Sequence, residues 1–106
     1  MISRDALFKS LADPTRRAIF ESLCENGELP VTALTRSAGI SQPAVSKHLG
    51  ILRNAGLVAA RQDGRQTFYH AELQAIEGIA DWTVEMRSFW NRRLDTFEDL
   101  LNRMDQ

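Results

Sequence analysis

The chain has 106 residues, 43% hydrophobic and 25% charged, which allows one domain with one modest core. No apolar run approaches the length of a membrane span, Arg4, Asp5 and Lys9 interrupt any secretory-type leader, and the lone Cys24 excludes an internal disulfide, so the expected location is the cytoplasm. The formal net charge of −1 hides an asymmetry, because residues 29–71 hold Arg36, Lys47, Arg53, Arg61 and Arg65 against Asp63 alone, net +4, between segments of net −1 and −4.

Ser3 can cap a first helix whose apolar face is Leu7, Phe8 and Leu11. Asp13-Pro14 predicts a second start, an aspartate cap followed by proline at the first helical position. That helix turns Ala18, Ile19 and Leu23 inward and ends near Asn26-Gly27. A third, short helix starts near Pro30, uses Val31, Leu34 and Ala38, and stops at Gly39. Ser41 then caps a fourth helix that ends at Gly56. Its apolar face is Val45, Leu49 and Leu52, and its opposite face carries Ser46, Lys47, Gly50 and Asn54, all small or polar.

After Gly56 the period changes from helical to alternating. "LVAARQDGRQTFYHA" has β-branched and aromatic residues on both sides of Asp63-Gly64, which predicts a hairpin with a type I′ turn at that pair. Arg61 then faces Gln66, and Val58 faces Tyr69. Val58, Ala60, Thr67 and Tyr69 share one face, and Ala59 and Phe68 the other. The remainder reads as helical, weakened or broken at Gly78, with Asp81 able to cap a final long piece. From there Met86, Trp90, Leu94, Phe97, Leu101 and Met104 advance by four, four, three, four and three residues, a heptad-like stripe. Together with Trp82 and Phe89 this is a large apolar payload, and it predicts a seam between two chains.

Two short helices joined by "AGIS" make a helix-turn-helix over residues 30–55. Gly39 forms the turn and Ile40 plugs the angle. The hairpin over 57–71 makes it a winged helix-turn-helix, followed by a dimerisation helix over about 80–105, all in one domain, 1–106. The predicted class is mainly α with a small β-hairpin. A helix entering the major groove must present small or hydrogen-bonding side chains. Ser46 and Lys47 meet that need, Gln42 can bond bidentately to adenine, and the first turn at Ser41 favours phosphate. His48 either touches DNA or packs against the groove side of the core. Arg61 and Arg65 sit beside the wing tip, where they can reach backbone or minor groove. No nucleophile elbow, phosphate-cradling glycine loop or paired carboxylates appear, so no enzyme is expected.

The text "LADPTRRAIFESL" at 11–23, "SQPAVSKHLGILRNAGLV" at 41–58 and "RQDGRQTFYH" at 61–70 resembles the ArsR/SmtB-type winged-helix repressors. The resemblance implies a symmetric homodimer on double-stranded operator DNA, with repression relieved by a signal. It also implies that the first and last helices pair, placing Leu7, Met86, Phe89, Trp90, Leu94, Phe97 and Leu101 at the interface. The chain departs from the metal-sensing members. In "ELPVTAL" at 28–34, Pro30 and Thr32 stand where those members have cysteines, and no histidine follows His70. The expectation is therefore a branch without a metal site or cofactor, its effector unidentified. Two other readings remain, a winged-helix protein-interaction module and a small-molecule or redox-responsive sensor. A lone cysteine such as Cys24 is most often a small buried or half-buried hydrophobe.

On this reading, chelator, zinc and arsenite leave the purified protein's DNA binding unchanged. A tightly held metal whose removal alters affinity in an anisotropy titration would overturn it.

Overall fold

A computed structural model describes residues 3–105. In chain order it has α1 (Arg4–Ala12), α2 (Pro14–Asn26), β1 (Leu29–Pro30), α3 (Val31–Ala38), α4 (Gln42–Asn54), β2 (Val58–Asp63), β3 (Gln66–Ala71) and α5 (Leu73–Met104). The helix starts follow side-chain chemistry. Ala6 N–H donates to Ser3 Oγ at 3.3 Å, Arg16 N–H to Asp13 Oδ1 at 2.9 Å, and Ala44 N–H to Ser41 Oγ at 3.3 Å. Each bond satisfies a donor that the helix itself leaves unpaired. Between α3 and α4 the chain reverses at Gly39, where φ is +69° and the amide donates back to the Thr35 carbonyl at 3.2 Å. Only glycine takes that left-handed geometry without strain.

Leu23, Leu34, Val45, Leu49, Leu52 and Leu57 are fully buried and join Ile19, Phe20, Val58 and Ala75 in one core. Leu7 of α1 belongs to the same cluster, so all five helices and the sheet share it. Burying one such side chain contributes roughly 1.5–3 kcal/mol, so α3 and α4 are fixed mainly by their leucines.

The sheet differs from the expected hairpin in two respects. It has three strands in the order β1-β3-β2, because Leu29 pairs with Tyr69 and Pro30 with Phe68. A two-residue strand containing proline shows no alternation, so periodicity does not reveal it. The hairpin register is also displaced. Asp63 pairs with Gln66, Arg61 with Phe68 and Val58 with Ala71, so the loop is Gly64-Arg65 rather than Asp63-Gly64. Among the described residues only glycines have positive φ, and Gly64 sits at +62°. A type I′ turn needs positive φ at two successive residues; a type II′ turn needs it only at the first, which here is glycine. The displacement is by two residues, so each side chain keeps the face expected for it.

The last helix also differs. The sequence predicts a break or weakening at Gly78 and a new start at Asp81, whereas α5 runs unbroken for 32 residues. One interior glycine costs a helix only about 1 kcal/mol, and the packing on α1 offsets this. Leu7 lies over Gly78, Phe8 meets Trp82 edge-on at 4.9 Å, and Arg4 Nη1 and Nη2 donate to the Glu85 carboxylate at 3.1 and 3.2 Å. Leu7 is thereby only 2% exposed and belongs to this chain's own core, which corrects its expected place at a chain–chain seam. Beyond Met86 every described residue of α5 is exposed, and the molecule measures 74 × 27 × 22 Å. No described helix is long and apolar enough to cross a membrane.

A Cβ at position 78 would meet Leu7 Cδ1 at 3.5 Å, an ordinary contact. Gly78→Ala is therefore expected to stabilise the protein by about 0.5–1 kcal/mol through helix propensity. Thermal unfolding at fixed protein concentration checks this; a lowered midpoint would mean that α1 and α5 need glycine for their contact.

Candidate nucleic-acid interface

The helix α4 is anchored by Val45, Leu49 and Leu52, all at 0% exposure, which leaves Ser41, Gln42, Ser46 and Lys47 exposed on the other side. The first turn is less open to anions than its position suggests. Pro43 has no N–H, the Ala44 amide donates to Ser41 Oγ, and the Val45 amide donates to the Ser41 carbonyl at 3.0 Å. Ser41 therefore serves α4 as its cap, and the phosphate site expected from free amides there is largely filled.

A cleft of about 200 Å³ opens between the start of α3, the exposed face of α4 and the wing. Gln42 and Ser46 line it from α4, Arg65 from the hairpin loop, Thr67 and Tyr69 from β3, and Thr32 from α3. No carboxylate lines it, and its polar groups are hydroxyls, amides and one guanidinium. Three of the predicted site residues, Gln42, Ser46 and Arg65, are thus brought to one place. Lys47 is exposed on α4, one residue after Ser46, but does not line the cleft.

The other two predicted residues lie elsewhere. His48 is half-buried, with Nδ1 3.5 Å from Arg16 Nη1. The same arginine donates Nε–H to the Ser10 carbonyl at 2.6 Å, so His48 sits where the end of α1, the start of α2 and α4 meet. Arg61 is not at the tip of the wing. Its Nε donates to Glu28 Oε1 and Oε2 at 3.0 and 2.9 Å, and its Nη2 donates to Oε1 at 2.6 Å. The guanidinium lies 4.8 Å from the centre of the Phe68 ring. The hydrogen bond from Arg61 holds the Glu28 carboxyl below its ordinary range and raises Arg61 in turn. Glu28 escaped sequence reasoning, because only the unforeseen β1 brings it beside the wing. His70 lies between two carboxylates, 3.3 Å from Glu72 and 4.0 Å from Glu28.

Among the described residues, no three His, Cys, Asp or Glu side chains converge as a metal site would require. Cys24 is exposed, and partial burial together with Glu21 and Glu25 pushes its thiol up, away from the reactive thiolate. A separate apolar surface runs along the outer half of α5. There Phe89, Trp90, Leu94, Phe97, Leu101 and Met104 are all exposed, Trp90 by 65% and Phe97 by 56%. Met86, at the head of the stripe, is already half-buried against the body.

The profile described as "Bacterial regulatory protein, arsR family" matches residues 13–60, which span α2 to β2. The "HTH-type transcriptional regulator Rv2034" of Mycobacterium tuberculosis is 38% identical over 100 residues, covering 94% of this chain and 90% of that protein. The fold matches the solved structure of an ArsR-like transcriptional regulator from Rhodococcus sp. RHA1 with a TM-score of 0.77 at 27% identity, covering 91% of this chain and 90% of that one. It matches the transcriptional repressor BigR of Xylella fastidiosa with a TM-score of 0.62 at 36% identity, covering 76% of this chain and 83% of that one.

The ion pair at the wing has a titration signature. A carboxyl whose folded value is depressed contributes stability above its unfolded value and loses it as pH falls through the folded one. Carboxyl NMR is expected to show Glu28 titrating below an ordinary glutamate, and Arg61→Ala is expected to return it to the ordinary range. A Glu28 that titrates normally in the unsubstituted protein would mean that the fork is absent in solution.

Proposed function

Because the chain belongs to the arsR family of bacterial regulatory proteins, we propose that it is a DNA-binding repressor acting as a homodimer on an inverted-repeat operator. The family and the relatives named above are transcriptional regulators, not enzymes. The observation that carries the reading is the carboxylate-free cleft where Gln42 and Ser46 of the recognition helix meet Arg65 of the wing. The major groove admits one helix, and these side chains are of the kinds that read base edges and hold phosphate there.

In this proposal, Gln42 and Ser46 read bases, and Lys47 and Arg65 neutralise phosphates. Ser41 organises the first turn, and His48 fixes α4 to the body. Arg61 is left out of the phosphate-contacting set because its guanidinium is already forked onto Glu28. The helix-turn-helix at 30–55 and the wing at 57–71 supply the reading head, and α5 supplies the dimer seam. Two copies paired along the stripe from Phe89 to Leu101 would remove both apolar faces from water at once, each large side chain contributing roughly 1.5–3 kcal/mol. A two-fold axis would also set two recognition helices for half-sites about 34–36 Å apart.

Selection of duplexes from a random pool is expected to enrich an inverted repeat. On it, Gln42→Ala should cost about 1–3 kcal/mol per half-site and relax preference at one base position. Lys47→Ala should weaken all sequences alike and reduce the salt slope by roughly one unit per lost contact. No enrichment would favour a protein-interaction module instead.

Leu94→Asp places a charge in the middle of the stripe and is expected to give a monomer with weakened DNA binding. A variant that still sediments as a tight dimer, or a wild-type monomer at micromolar concentration, would sink the dimer proposal.

A further inference from the structure

We infer that Arg61 and Glu28 form a strap that sets the angle of the wing, so that Arg61 acts on DNA binding as a positioning residue and not as a phosphate contact. The inference rests on the DNA-binding reading above. Pro30, Phe68 and Arg61 form one row across the three strands, and alternation puts Glu28 on the same face as that row. Arg61 on the outer strand β2 therefore reaches over Phe68 of the central strand to the residue just ahead of β1. Thr67 and Tyr69, which line the cleft, lie on the other face of the sheet, and Pro30 of the row itself also borders the cleft, so the strap lies directly behind it.

The chemistry leaves the guanidinium little capacity for a phosphate. Nε and Nη2 are held by both Glu28 oxygens, and Nη1 is 3.7 Å from Asp63 Oδ2. Two carboxylates beside it also repel an incoming phosphate. Arg61 is 51% and Glu28 33% exposed, a setting in which an ion pair contributes modestly and only where its geometry is bidentate, as it is here. Its consequence is geometric. The planar fork fixes direction as well as distance, and the ring beneath it restricts the arginine further. The strap ties the wing to the segment that leads into the helix-turn-helix, so Arg65 at the loop reaches the cleft in a set position relative to Gln42.

Anisotropy titrations of the full chain on a random-sequence duplex, across a range of salt, test this. Arg65→Ala should reduce the salt slope by about 0.9 per lost contact. Arg61→Ala should weaken binding roughly threefold to tenfold at fixed salt, as residues coupled by contact do, with the wild-type slope retained. Arg61→Lys keeps the charge and loses the fork, so it should behave like Arg61→Ala. Glu28→Gln should leave the slope unchanged. A slope lowered by Arg61→Ala, binding restored by Arg61→Lys, or a slope raised by Glu28→Gln would make Arg61 a phosphate contact and overturn the strap. If the wild-type protein binds no duplex, the DNA reading itself fails, and amide exchange of the free protein still decides the strap. Arg61→Ala and Glu28→Gln should then speed exchange across β2 and β3 while leaving α2 and α4 as they were. Unchanged exchange in both variants would overturn it.

Discussion

The reading face of α4 exists because its other face is anchored. Val45, Leu49 and Leu52 are wholly buried beside Leu23, Leu34 and Leu57, so the helix needs no contact from Gln42, Ser46 or Lys47 to stay in place. Helical stability in proteins comes mainly from packing one amphipathic face, which frees the opposite face for small and hydrogen-bonding residues. The rest of the chain serves that arrangement. Gly39 turns α3 under α4, and β2 follows α4 directly, so the wing lies beside the face that α4 leaves bare.

Charge is distributed along the same lines. The positive middle segment, net +4, contains the cleft, and the negative final segment, net −4, is α5 and its lead-in. The large exposed apolar residues of α5 therefore lie in the acidic part of the chain, away from the carboxylate-free cleft. Within the middle segment the cations are not equivalent. Arg65 sits in a cleft without carboxylates, and Arg61 sits between Glu28 and Asp63. A tally of basic residues treats the two alike, whereas their surroundings differ in charge.

α5 divides into two parts by environment. Up to Met86 its inner face packs on α1, through Gly78 against Leu7, Trp82 against Phe8 and Glu85 against Arg4. Beyond it, large apolar residues meet only water in the single chain. An apolar stripe of that size on an otherwise solvated helix marks an interaction surface. The inner half of α5 packs on α1, and Arg16 in turn joins the end of α1 to His48 of α4.

Local chemistry was legible in the sequence. The caps at Ser3, Asp13 and Ser41, the turn at Gly39, the buried face of α4 and the two faces of the hairpin each depend on residues close together in the chain. Gln42, Ser46, Lys47 and Arg65 could be nominated for the same reason, since helical and strand periods place them outward. The three-dimensional fold decided what depends on distant residues. Gly78 is a helix breaker by local rule, yet α1 packs over it and α5 runs on. Leu7 looks free on an isolated amphipathic helix, and α5 buries it. Asp63-Gly64 carries a strong turn signal, but the register that pairs Asp63 with Gln66 needs positive φ only at Gly64. Glu28 meets Arg61 only because Leu29 and Pro30 pair with β3, a contact between segments more than thirty residues apart that no local pattern encodes.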